Sequence, residues 1–66
     1  MSTTTLMGII IGLEMQGARF IKGDGFNLFF DIPRGSEMDN DVKLKIAKNA
    51  LMKTFGLGLY IRRVER

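Results

Sequence analysis

Apolar residues recur with helical spacing along the first part of the chain. Leu6, Ile10 and Leu13 fall on one side of a wheel drawn at about 100° per residue, and the pattern extends as far as Phe20. This spacing predicts an N-terminal helix. A second apolar stripe lies on the opposite side of that helix, and it consists of Met7, Ile11 and Met15.

A helix that is apolar on two opposite sides is expected to be covered on both. We predict that the second stripe is the contact face of a homodimer; in the other interpretation, the chain's own hairpin and second helix cover both sides. A strand over residues 3–13 is the alternative to the helix. The Ile9–Ile11 triplet favours a strand, and Gly8 and Gly12 each weaken a helix by about 1 kcal/mol.

The clearest local pattern is a β-hairpin that turns at residues 23–25, Gly-Asp-Gly. Gly and Asp accept the positive φ angles that tight hairpin turns require. Phe29 is the one apolar residue on the outer face of the second strand, and Pro33 ends that strand because it donates no ladder hydrogen bond. Alternation assigns the inner face to four apolar residues, Phe26, Leu28, Phe30 and Ile32.

A second amphipathic helix follows the hairpin. Asp39 or Asp41 is its predicted N-cap, and Gly56 is the predicted C-terminal stop. Residues 57–64 alternate in polarity and can form a last strand. The predicted fold class is therefore α+β, in the order helix, β-hairpin, helix, with a C-terminal segment that can form a strand. Residues 1–66 are predicted to form a single small domain.

The composition excludes several chemistries. The chain has no Cys and no His, so it can form neither a disulfide nor a Cys/His zinc site nor a histidine-based catalytic centre. The alternating acids at positions 37, 39 and 41 resemble a calcium loop. However, Val42 stands where that loop needs Gly, and Lys48 stands where it needs Glu. We therefore predict no enzymatic activity, no catalytic residue, no metal and no cofactor.

The longest apolar run is too short to cross a membrane. It extends from Leu6 to Leu13, which is eight residues, and Glu14 ends it. A spanning helix needs about 20 apolar residues. The sequence therefore predicts a cytoplasmic protein without a membrane partner.

Charge is distributed unevenly along the chain. Residues 1–41 carry three bases and six acids, whereas residues 42–66 carry seven bases and one acid. Clustering of the C-terminal bases with Phe29 or Tyr60 would favour nucleic acid, because aromatic rings stack on bases. Bases spread around the surface would favour docking of a protein. The candidate nucleic-acid contacts are Lys45, Lys48, Lys53, Arg62 and Arg63.

Several short motifs follow one another in a characteristic order. From Leu13 the chain reads Leu-x-x-x-Gly-Ala-x-Phe, then Gly-Asp, then Leu, then Pro-Arg-Gly, and an acid-capped amphipathic helix follows. Over residues 6–55 this arrangement resembles the TubC N-terminal docking domain. The resemblance implies a small, often dimeric socket, in which the hairpin strand receives a short segment from the end of a preceding synthase subunit. The last segment departs from the family, because it is predicted to be a strand rather than further helix.

The predicted function is non-catalytic binding of a protein or peptide segment at the edge of the hairpin. The resemblance places Arg19, Lys22 and Arg34 near that edge. Phe29, apolar on an outer face, is the predicted anchor. The partner-binding residues are therefore Arg19, Lys22, Phe29 and Arg34. The alternative function is a small basic nucleic-acid-binding accessory protein of the kind that phages and plasmids encode.

Overall fold

The computed structural model of the protein describes residues 3–65, with side chains from Thr5 onward. Arg66, one of the C-terminal bases, therefore lies outside the described residues. The element order confirms the α+β fold class, makes residues 3–13 helical and makes the C-terminal segment a strand. The elements are α1 (Thr3–Met15), β1 (Arg19–Asp24), β2 (Asn27–Pro33), α2 (Asp41–Phe55) and β3 (Gly58–Val64).

The three strands form one sheet in the order β1-β2-β3. β1 is antiparallel to β2, and β3 is parallel to β2. A parallel neighbour requires a crossover connection, which α2 provides. Both helices pack on the same face of the sheet. The core between the two layers consists of Ile10, Leu13, Ala18, Leu28, Phe30, Ile32, Met38, Leu51 and Leu59.

The first helix ends earlier than its apolar spacing predicts. Gly17 adopts a φ of 103°, a left-handed conformation that favours glycine and stops the helix. The amide of Ala18 then donates to the carbonyl of Leu13 at 3.1 Å, which closes the last turn. The extension of the helix to Phe20 is therefore wrong. Phe20 lies in β1, where its ring meets that of Phe30 edge-on at 5.3 Å.

The second stripe of α1 is exposed. Met7 is 50%, Ile11 49% and Met15 83% accessible to solvent. The interpretation in which the chain's own hairpin and second helix cover both sides of α1 is therefore wrong. Coverage by a second copy stays a prediction.

The N-cap of α2 is Asn40 and not Asp39 or Asp41, which corrects the sequence prediction. The Asn40 Oδ1 atom accepts hydrogen bonds from the amides of Val42 and Lys43, at 3.0 and 3.1 Å. Asp39 is unavailable as a cap because it accepts a hydrogen bond from the Gly35 amide at 2.9 Å. The C-terminal stop at Gly56 is confirmed, with a φ of 69°.

The hairpin has the predicted place but a different turn. Phe26, expected on the inner face, lies in the turn and is 78% exposed, because β2 begins only at Asn27. The other three inner-face residues are confirmed as core. Helical spacing also predicts Ile46 on the apolar side of the second helix, but Ile46 is 64% exposed.

Candidate docking surface on the sheet

The face of the sheet that points away from both helices is uncovered by any described residue. The strand register defines it, because residues paired across neighbouring strands lie on the same face. Phe29 pairs with Lys22 on β1 and with Tyr60 on β3. We call this surface the open face, and it contains Arg19, Ile21, Lys22, Phe29, Asp31, Tyr60 and Arg62.

A β-bulge in β1 places two consecutive residues, Ile21 and Lys22, on the open face. The register shifts between Phe20 and Lys22, so one extra residue is accommodated in β1. Ile21 is 46% exposed, and it lines a depression of about 230 Å³ together with Lys22 and Phe29. Simple alternation from Phe20 already places Ile21 on the open face, so this was the signal that could have identified it. The same alternation places Lys22 on the helix-covered face, and the bulge moves Lys22 to the open face.

The centre of the open face is aromatic. The rings of Phe29 and Tyr60 stack at 5.1 Å between centroids with 13° between their planes. The Nζ atom of Lys22 lies 5.3 Å from the Phe29 ring centroid, within the range of a cation–π contact. Tyr60 remains 56% exposed. The surface therefore presents an apolar centre with a cation directly on it.

A buried carboxylate holds one of the cations of the open face. The guanidinium of Arg62 donates two hydrogen bonds to Asp31, at 3.0 and 2.8 Å. These hydrogen bonds, with the charges of Arg62 and Arg19, lower the pKa of Asp31 despite its burial, which acts in the opposite direction. Arg62 is therefore already paired, whereas Arg19 and Lys22 form no ion pair within residues 3–65.

The structure brings together three of the four residues predicted to bind a partner. Arg19, Lys22 and Phe29 share the open face. Arg34 lies apart from them, beyond the end of β2, where its amide donates to the Val64 carbonyl and its guanidinium pairs with Glu65 at 2.9 Å. The pairing of β3 with β2 draws Arg34 towards the C-terminal strand, and its part in partner binding stays a prediction.

The basic residues of the C-terminal part are spread over several surfaces. Among those that the structure describes, Arg62 alone lies on the open face. Arg63 points to the helix-covered face and pairs with Asp39 and Asp41, at 2.8 and 2.6 Å. The Gly35 amide and then Arg63 lower the pKa of Asp39. Lysines 45 and 48 line a groove between α2 and β3, whereas Lys53 lines none of the described depressions.

The fold and the open face together define a small two-layer α+β protein with one uncovered sheet face. Comparison with family models, with curated proteins and with solved structures finds no match to this chain. Across residues 3–65, no helix has the length and apolar character needed to span a membrane. The same residues contain no cluster of acidic side chains arranged to hold a metal ion.

Proposed function

We propose that this protein is a non-catalytic docking module that binds another protein at the open face and the adjoining edge of the hairpin. The observation that carries the proposal is the apolar centre formed by the exposed Ile21 and Tyr60 with the half-buried Phe29, bordered by the cations of Arg19 and Lys22. An apolar centre with a charged rim is typical of surfaces that bind proteins.

The edge of the hairpin supports the same function. In the described part of the chain β1 pairs with β2 alone, so one side of its backbone is available to an added strand. Arg19 and Lys22 lie on this strand without an acidic partner, and they favour a segment that carries carboxylates. The sequence resemblance to TubC N-terminal docking domains points to the same mode of binding.

The proposal includes a homodimer formed through the exposed stripe of α1. Met7, Ile11 and Met15 form an apolar row on a helix that carries one charged residue, Glu14. Association would remove this row from water, which is the main favourable contribution to most protein interfaces. Dimerisation on α1 leaves the open face free for a partner, because the two surfaces belong to different layers.

Selection from a library of random peptides tests the docking function. We expect the wild-type protein to enrich peptides that combine acidic and apolar residues, and Phe29→Asp to enrich none. Lys22→Glu should weaken binding of a selected peptide about fivefold, since an attraction becomes a repulsion. Lys53→Glu is the matched control, because it makes the same charge change on α2 away from the open face.

The circular dichroism spectrum of each variant establishes that it is folded. Peptides that bind Phe29→Asp and the wild type equally, or a Lys53→Glu variant that loses as much affinity as Lys22→Glu, would contradict docking at the open face. Failure of the folded wild type to enrich any peptide sequence would also contradict it.

Nucleic-acid binding is the second candidate function, and one observation favours it. The stacked rings of Phe29 and Tyr60 beside Lys22 can receive an unpaired base. Lys45 and Lys48 share a groove with Tyr60, which also fits nucleic acid, whereas Lys53 and Arg63 lie away from the two rings, which fits docking. A labelled random single-stranded oligonucleotide tests this candidate: binding that weakens steeply as salt rises and disappears in Tyr60→Ala would support it, whereas no binding at low salt would exclude it.

A further inference from the structure

The third strand forms the other edge of the sheet, and its outer backbone is unpaired in the described structure. Gly58 donates its amide to the Phe26 carbonyl at 2.8 Å, and the Val64 carbonyl accepts from the Arg34 amide at 2.9 Å. Even-numbered residues of β3 therefore direct their backbone groups towards β2. Because the direction alternates along a strand, the odd-numbered residues direct theirs outward, and these are Leu59, Ile61 and Arg63.

A groove of about 620 Å³ follows this edge between β3 and α2. Tyr60 lines it from the open face, and Leu59 and Ile61 line it from the helix-covered face. The groove therefore wraps around the strand edge. We call it the β3 groove, and its lining is Asn27, Leu44, Lys45, Lys48, Met52, Gly58, Leu59, Tyr60 and Ile61.

The charged residues that line the β3 groove are both basic. Lys45 and Lys48 lie three residues apart on α2, a spacing that places them side by side on the helix surface. Both are exposed, neither forms an ion pair within residues 3–65, and no acidic residue lines the groove. The arginines of β3 differ from these lysines, because Arg62 and Arg63 already form ion pairs with aspartates.

We propose that the β3 groove binds an extended acidic segment of another protein, which adds a fourth strand to the sheet. Side chains of the added strand alternate between two environments. Those on the helix side meet Lys45 and Lys48, which select carboxylates. Those on the other side lie next to Tyr60, where an apolar side chain extends the aromatic row that Phe29 begins.

Charge decides against a second copy of the chain as the occupant. Pairing of two β3 edges would carry the lysines of one α2 towards those of the other across the new strand pair, which is unfavourable. The inference goes beyond docking at the open face, because it concerns the opposite edge of the sheet and different cations. Lys22 belongs to the first surface, and Lys45 and Lys48 belong to the second.

Titration of the ¹⁵N-labelled protein with an end-blocked octapeptide of alternating Glu and Val tests the proposal. We expect the amide signals of Leu59, Ile61 and Arg63 to shift and their exchange with solvent to slow, because these amides would donate to the added strand. The double variant Lys45→Glu/Lys48→Glu should bind this peptide about tenfold more weakly. It should in turn bind the Lys/Val counterpart of the peptide more tightly than the wild type does.

Two single variants separate the β3 groove from other basic surfaces. Lys53→Glu changes the same charge on α2 outside the groove and should bind the Glu/Val peptide as the wild type does. Lys22→Glu changes it on the open face and should leave the shifts of the Leu59, Ile61 and Arg63 amides in place, whatever it does to binding at the open face. Loss of these β3 amide shifts in Lys22→Glu but not in Lys45→Glu/Lys48→Glu would move the site to the open face and overturn the proposal. The proposal would also be overturned if the β3 amide signals did not shift at millimolar peptide. The same holds if these signals shifted with protein concentration or with an added oligonucleotide, and not with the peptide.

Discussion

Single aspartates join distant parts of this chain. Asp31 on β2 holds Arg62 of β3 on the open face, and Asp39 ties the turn at Gly35 to Arg63. Each carboxylate therefore fixes the C-terminal strand to an earlier segment. Because these hydrogen bonds favour the ionised form, the pKa values of Asp31 and Asp39 fall in the folded state.

We expect the free energy of unfolding to decrease on acidification. The folded-state pKa of both aspartates lies below the ordinary value of 3.8, so the unfolded chain binds more protons in acid. Their stabilisation is fully present above about pH 5 and is lost as pH falls through about 4 and below. Urea unfolding at pH 3 to 7 measures this dependence.

Asp39→Asn should reduce the pH dependence of the free energy of unfolding. Glu37→Gln is the control, since Glu37 is exposed and forms no ion pair within residues 3–65. An acid dependence that Asp39→Asn leaves intact would show that the Gly35 and Arg63 contacts do not depress the pKa of Asp39.

Local capping residues determine where the helices begin and end. Gly17 stops α1, Gly56 stops α2, and Asn40 starts α2 by accepting two amide hydrogen bonds. Stopping α1 at Met15 frees the next residues to form β1, and without β1 the open face would not exist. The position at which α1 ends is therefore a condition for the candidate docking surface.

Removal of the α2 cap should destabilise the protein. Asn40→Ala leaves the amides of Val42 and Lys43 without their acceptor, and we expect the free energy of unfolding to fall by about 1 kcal/mol. Thermal or urea unfolding measures the change. Asn49→Ala, at an exposed position within α2, should be neutral or slightly stabilising; an equal loss in both variants would argue against capping by Asn40.

Residues 3–65 leave several surfaces uncovered, because the fold has two layers and a single three-stranded sheet. A chain of this size buries about 60% of the area that its unfolded state exposes, which gives limited stability. The uncovered surfaces are the stripe of α1, the open face and the β3 groove. They lie on different sides of the fold, so binding at one of them would leave the other two free.

We expect the protein to be a dimer that depends on α1. Ile11→Glu places a charge in the centre of the exposed stripe and should produce a folded monomer. Sedimentation equilibrium over a range of concentrations measures the oligomeric state of the wild type and the variant, and circular dichroism verifies that both are folded. Val42→Glu, a similar change at a 67% exposed site on α2, should remain dimeric; a wild type that is monomeric at every concentration would contradict the prediction.

Much of the fold follows from local sequence patterns. Alternation identified Leu28, Phe30 and Ile32 as core, and glycine at position 56 marked the end of α2. Part of the candidate site was predictable in the same way, since Phe29 was the apolar exception on an outward strand face. The contact of Arg34 with Glu65 was not predictable in this way, because no local pattern showed that β3 would pair with β2.

The sequence by itself determined the α+β class, the hairpin and the apolar faces, since these depend on residues close together in the chain. The tertiary structure decided which side chains lie together on one surface. The bulge at Ile21 brought Lys22 onto the open face, and the parallel pairing of β3 with β2 placed Tyr60 beside Phe29. The register of β3 on β2 joins residues about 30 positions apart in the chain, and no local periodicity encodes it.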